Sequence, residues 1–78
     1  MQKSIHSKQS QLLRQWLKEK REGASLTMRD LAQLLGVHHS IIGKIETGER
    51  RLDVIEWIEY CEAIGADPNE CVDRIRGT

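Results

Sequence analysis

Only three residues, Gly36-Val37-His38, separate two segments whose apolar spacing reads as helix. Upstream, Leu31, Ala32, Leu34 and Leu35 form the apolar stripe of a short helix over Thr27–Leu35. Thr27 stands where an N-cap belongs, and Asp30, three residues on, can reach back in a variant of the capping box. Gly36 ends this helix. Downstream, Ile41, Ile42 and Ile45 give a helix over His39–Thr47, which Gly48 stops. So short a turn, led by glycine, forces the two helices to cross sharply, as in a helix-turn-helix over residues 27–47.

The rest of the chain is helical as well. Leu13 and Leu17, with the pair Leu12 and Trp16, repeat at i, i+4 and mark a first helix from about Ser7 to Glu22, punctuated by Gly23. Asp53 caps a fourth helix and Glu56 completes its box. Val54, Trp57, Ile58, Cys61 and Ile64 are read as its apolar face, with Gly65 at the C′ position; Tyr60 falls off the strongest stripe, and it and Trp57 are each either core or part of a dimer patch. Asp67 caps a fifth, with Pro68 at N1, Glu70 at N3, and Cys71, Val72 and Ile75 as apolar positions. Strand signals are nearly absent: there is no period-2 run and no hairpin turn. The expectation is an all-α, compact five-helix domain.

Length and composition exclude several classes. A chain of 78 residues is one small domain, 1–78, burying about 60–65% of its unfolded surface, too little for a multi-layer enzyme core. Residues 1–6 are expected to be a flexible N-terminus. The longest apolar stretches are two or three residues, so no membrane span and no membrane partner is expected. Met1-Gln2-Lys3-Ser4-Ile5-His6 lacks the apolar run of a signal peptide, which makes the cytoplasm the expected compartment. No Ser-His-Asp, P-loop or paired-carboxylate arrangement stands out, so the chain is not read as an enzyme. His6, His38 and His39 do not make a zinc site. Adjacent helical residues point about 100° apart, no cysteine pair has ligand spacing, and no metal or cofactor is expected. Cys61 and Cys71 sit among apolar residues on different helices and read as small core residues rather than a disulfide.

The formal net charge is zero, from 12 basic and 12 acidic residues. Residues 1–51, however, carry ten basic and five acidic side chains, while residues 52–78 carry two basic and seven acidic ones. A balance of +5 followed by −5 hints at a polyanion-facing side.

The stretch Leu26-Thr27-Met28-Arg29-Asp30-Leu31-Ala32-Gln33-Leu34-Leu35-Gly36-Val37, followed by Ile42-Gly43-Lys44-Ile45-Glu46-Thr47-Gly48-Glu49-Arg50-Arg51, resembles the Cro and phage-repressor (XRE) family of helix-turn-helix DNA-binding proteins. The resemblance runs from about Leu13 to Ile75. It rests on Leu31-Ala32, Gly36, Ile42, Ile45-Glu46 and Gly48 at fixed offsets, and it implies a lambda-repressor-like fold. Each position has a physical reason. Ala32 must be small where the second and third helices cross. Gly36 leaves its helix at positive φ, where a Cβ is costly. Ile42 and Ile45 point inward and free the opposite face of the third helix. Glu46 lies near a helix C-terminus, where the macrodipole disfavours an acid, and so needs a partner. The family's arginine of the first helix falls at Arg21, giving an expected Arg21–Glu46 ion pair.

By the same resemblance the third helix reads DNA. His39, Ser40 and Lys44 are the expected base-contacting positions, with Gly43 allowing close approach and Ile41 either touching a thymine methyl or half-buried. Thr27, Met28, Arg29, Gln33, Thr47, Arg50 and Arg51 are expected at phosphates, along with the free N–H groups at the helix N-termini, His39 included. The chain departs from the family at three places. Met28 replaces a phosphate-contacting glutamine and leaves only a backbone contact. His38 replaces a serine cap. Glu49 stands where lysine is commoner.

Function is therefore expected to be that of a sequence-specific regulator, a repressor binding double-stranded DNA at a palindromic operator. Cro-like proteins commonly bind as dimers, and the fifth helix with the end of the fourth is the expected interface. With no room for a sensing domain, control would come from concentration, degradation or a partner. Two other readings stay open. One is an antitoxin or accessory protein of a two-gene module, using the acidic C-terminal third as a protein-binding surface. The other is an adaptor that has lost DNA affinity.

Overall fold

The computed structural model describes residues 7–77, so the N-terminal segment 1–6, and His6 with it, lies outside the described residues. Within them the chain forms five helices: α1 Lys8–Gly23, α2 Met28–Leu35, α3 His39–Thr47, α4 Val54–Ile64 and α5 Pro68–Arg76. No strand occurs among the described residues, and no helix is long and apolar enough to cross a membrane.

Local chemistry sets the boundaries. Ser7, Thr27, His38, Asp53 and Asp67 each occupy an N-cap and accept a backbone N–H two or three residues on. Thr27 with Asp30 and Asp53 with Glu56 form complete capping boxes. Gly36, Gly48 and Gly65 close α2, α3 and α4 in the left-handed region, at φ of 70°, 86° and 68°. The end of α1 differs from the expectation. Gly23 is its last residue, and the left-handed residue is Ser25, at φ 60°. That turn is held from both sides by Arg21, whose carbonyl accepts Leu26 N–H at 3.2 Å and whose Nη1 donates to the Leu26 carbonyl at 2.7 Å.

α1 is the hub: it packs on α3, α4 and α5, while α2 packs on α3 and α4. Trp16, Leu17, Leu31, Ala32, Ile42, Ile45, Tyr60, Cys61, Ile64 and Cys71 form the buried core. Burial of Ala32 fits the close crossing of α2 and α3, which only a small side chain permits. Both cysteines are free thiols, fully buried. Burial pushes the Cys61 thiol up to about 11 and raises Cys71 too.

Helix α4 departs most from the expectation. Val54 and Ile58, read as core, are exposed, as is Ile55. Tyr60, off the stripe by spacing and left open between core and a dimer patch, is core at 1% exposed. The inward face of α4 is thus Tyr60, Cys61 and Ile64 with half-buried Trp57. Leu34, assigned to the stripe of α2, is also exposed.

Candidate nucleic-acid interface

Ile42 and Ile45 anchor α3 in the core. At 100° per residue, that leaves His39, Ser40, Gly43, Lys44 and Thr47 along one stripe on the other side. Ser40, Lys44 and Thr47 are exposed, while His39 and Gly43 are half-exposed. Ile41 borders this stripe and lines a groove with Leu35, Val37, Leu52 and Tyr60, which draws it toward the α4 side.

The angle of α3 is fixed at both ends and in the middle. At the start, His38 Nδ1 accepts the Ser40 N–H at 3.2 Å. An Nδ1 that accepts there carries no proton, so the Ser40 hydroxyl, 2.9 Å from the same nitrogen, is placed to donate to it. Ser40 thus reaches the surface with its hydroxyl hydrogen committed and its oxygen free to accept. The two imidazoles lie 4.3 Å apart, tilted by 32°. Partial desolvation, with Arg29 and His38 nearby, holds His39 below the usual histidine range. His39 is then a neutral ring at pH 7, able to donate from one nitrogen and accept at the other.

In the middle, Arg21 Nε and Nη2 donate to Glu46 Oε2 and Oε1 at 2.7 and 3.0 Å. Tyr60 OH donates to Glu46 Oε2 at 2.7 Å. Side-chain exposures of 7% and 2% put this Arg21–Glu46 pair inside the molecule. The hydrogen bonds to Glu46 raise the Arg21 pKa, and burial beside Glu46 raises that of the Tyr60 phenol. Tyr60 thus completes a triad joining α1, α3 and α4. At the end of α3, the Arg14 guanidinium lies against Gly48, where an added Cβ would meet Arg14 Cζ at 2.9 Å.

Tyr60 stands out in the sequence as a rare aromatic, core or dimer patch, but neither its bond to Glu46 nor the place of Arg14 was expected. Arg14 had a signal: it lies two turns before Arg21, so one face of α1 presents both arginines toward α3. The Tyr60–Glu46 bond had none, since Glu46 lies on α3 and only tertiary packing brings α4 to it.

The expected phosphate-facing residues divide by what holds them. Thr27 N–H donates to Asp30 Oδ2 at 2.9 Å, so that backbone donor is spent within α2. Met28 is half-buried, and its sulfur lies 3.7 Å from where a Gly43 Cβ would sit. Its side chain therefore packs between α2 and α3, and Gly43 accommodates that packing. Thr47 Oγ1 is 3.3 Å from the Lys44 carbonyl and 3.1 Å from Glu49 Oε2. Arg50 Nη2 donates to Glu56 Oε2 at 2.7 Å, which raises the Arg50 pKa and, with the Asp53 N–H, lowers that of Glu56. Arg50 Nη1 is buried with no hydrogen-bond partner among the described residues. Arg50 thus faces the protein. Arg29, Gln33, Lys44 and Arg51 are exposed, and the three cations among them take part in no ion pair among the described residues.

Comparison with known proteins bears directly on this arrangement. A helix-turn-helix family model matches residues 17–71. The solved XRE-family like protein from Pseudomonas syringae pv. tomato str. DC3000 is 40% identical, covers 94% of this chain and 89% of its own, and superposes with a TM-score of 0.86. The chain belongs to the XRE family of helix-turn-helix proteins. Comparison with curated proteins gave no significant match. XRE membership makes the chain a DNA-binding transcription regulator. The departures from the family pattern now have structural counterparts. In this XRE-family chain Met28 fills the helix crossing, His38 caps α3 through a ring nitrogen, and Glu49 takes the Thr47 hydroxyl. Among the described residues no group of His, Cys, Asp and Glu could hold a metal ion.

Proposed function

We propose that this XRE-family chain is a sequence-specific repressor that reads a palindromic operator as a pair of copies. One observation carries the reading: His39, Ser40 and Lys44 share the exposed stripe of a helix whose opposite side is locked by Ile42, Ile45 and Glu46. A helix so fixed presents its side chains to the major groove with little ordering cost. Lys44 donates to guanine O6 or N7, the Ser40 oxygen accepts from an exocyclic amine, and neutral His39 serves either partner. Arg29, Gln33 and Arg51 contact phosphates and set the register. Bound over a promoter, a domain of this size represses by occupying the DNA.

Selection from a random duplex pool at near-physiological salt tests the reading, repeated with Lys44→Ala. Enrichment of a palindrome whose preferred base changes with Lys44→Ala supports direct readout. An equal loss across all sequences makes Lys44 a phosphate contact. No enrichment favours a protein-binding adaptor. One feature favours that second reading: Glu59, Glu62 and Asp73 are exposed on the acidic third, with no ion pair among the described residues. A reporter driven through the selected sequence separates repression from activation.

A further inference from the structure

At the start of the recognition helix, one ring nitrogen accepts twice from the same residue. His38 Nδ1 takes the Ser40 backbone N–H at 3.2 Å and lies 2.9 Å from the Ser40 hydroxyl. Both bonds need that nitrogen without a proton. The common N-caps, Ser, Thr, Asn and Asp, keep an accepting oxygen throughout the neutral range. An imidazole does not, because its charge changes between about pH 5 and pH 8.

We propose that His38, which precedes α3 and caps it, sets the hydrogen-bond polarity of Ser40 and thereby the base that Ser40 selects. This rests on the reading that Ser40 meets a base edge. His38 is then a positioning residue that determines specificity through its neighbour. With Nδ1 bare, the Ser40 hydrogen turns toward the imidazole and the oxygen faces outward as an acceptor. In the major groove an acceptor pairs with an exocyclic amine, N6 of adenine or N4 of cytosine. A proton on Nδ1 reverses the pair. The ring N–H donates to Ser40 Oγ, the hydroxyl hydrogen turns outward, and Ser40 becomes a donor. Its partners are then the carbonyls, O6 of guanine or O4 of thymine. His38 and Ser40 are both exposed, so the proton comes from solvent and the hydroxyl has room to turn. The same proton removes the cap from the Ser40 N–H. That loosens the start of α3 for every DNA sequence alike and carries no base preference.

The other charged and titratable groups at this end of the motif come from both of its helices. The His39 ring lies 4.3 Å from that of His38. Desolvation, then the charges of Arg29 on α2 and of His38, favour the neutral form of His39. Lys44 stands one turn beyond Ser40 on the same exposed stripe. His39 and Lys44 read base pairs of their own, so the effect of His38 is sought only at the pair that Ser40 reads.

Selection from the random duplex pool at about pH 7.5 and again at about pH 5.5 tests this. Ser40→Ala locates the position, which is the one whose preference it flattens. There the wild type should favour adenine or cytosine at the higher pH, and that preference should shift about fivefold toward guanine or thymine at the lower one. In His38→Asn the carboxamide oxygen has two lone pairs, enough to cap α3 and to accept the Ser40 hydroxyl, and it takes up no proton in this range. His38→Asn should therefore keep the adenine or cytosine preference at both pH values. A wild-type preference that is the same at both, or a shift that persists in His38→Asn, overturns the role of His38 and leaves Ser40 a base contact. If Ser40→Ala flattens no position, Ser40 reads no base, and the reading beneath this one fails with it.

Discussion

Glu46 keeps 2% of its side chain exposed and accepts from Arg21 twice and from Tyr60 once. What each partner is worth follows from what its loss leaves behind. Arg21→Ala strands a buried carboxylate with one phenol, and breaking a buried pair this way costs about 3–5 kcal/mol. Arg21 also holds the Leu26 carbonyl, so the α1–α2 turn loosens with it. Tyr60→Phe removes one hydrogen bond and keeps the ring in the core, at a cost of about 1–2 kcal/mol. Lys20→Ala breaks a half-exposed pair with Glu70 and a 6.0 Å approach of Nζ to the Trp16 ring, each worth at most about 1 kcal/mol at such a surface. Thermal melts of the three variants should rank Arg21→Ala lowest, then Tyr60→Phe, then Lys20→Ala close to wild type. Equal small shifts for all three would show that the triad does not anchor the recognition helix.

Helix ends were the most legible elements, because a cap is local chemistry. Thr27 with Asp30, Asp53 with Glu56, and the glycines after α2, α3 and α4 can be read from residues a few positions apart. The outward face of α4 was not legible. Val54, Ile58, Cys61 and Ile64 make a continuous stripe by spacing alone, yet the burial of Tyr60 against Glu46 rotates the core-facing side away from Val54 and Ile58. The phosphate-facing set was partly hidden for the same reason. Glu56 reads as a capping residue and is one, but it also holds Arg50, which sits six residues earlier. The glycines at helix ends carry a prediction of their own. Gly36 has φ 70° with open space around its missing Cβ, so Gly36→Ala costs only the left-handed conformation, about 1–2 kcal/mol. Gly48 has φ 86° with Arg14 against it, so Gly48→Ala must also displace a guanidinium. Gly48→Ala should therefore lower the melting temperature more than Gly36→Ala. In the Arg14→Ala background the two glycine substitutions should cost about the same. A gap that survives there would place the cause elsewhere.

Across the whole molecule, the zero net charge is a sum of three groups: charges held within the fold, exposed cations left for a polyanion, and exposed acids such as Glu59, Glu62 and Asp73 that balance them. Glu70, Glu56 and Asp30 belong to the first group. Lys20 lowers the Glu70 pKa, Arg50 lowers that of Glu56, and the Thr27 N–H lowers that of Asp30. Their folded values lie below their unfolded ones, so the stability they give is fully present above the usual carboxylate range. It is lost as pH falls through the folded values. The melting temperature should thus fall in acid below about pH 4–5, and Glu56→Gln should flatten that fall. Arg29, Lys44 and Arg51 belong to the second group. Three cations per copy make about six per pair, for a slope of log K against log salt near about −5. The total charge of zero would suggest almost no slope, and counting every cation after residue 28 would suggest a steeper one. The decisive comparison is Arg50 with Arg51, adjacent in sequence. Arg51→Ala should reduce the magnitude of the slope by about 1 per copy. Arg50→Ala should leave it unchanged and lower thermal stability, because Arg50 is bonded to Glu56. A salt titration in which both variants lose the same slope would show that Arg50 leaves Glu56 for a phosphate when DNA binds.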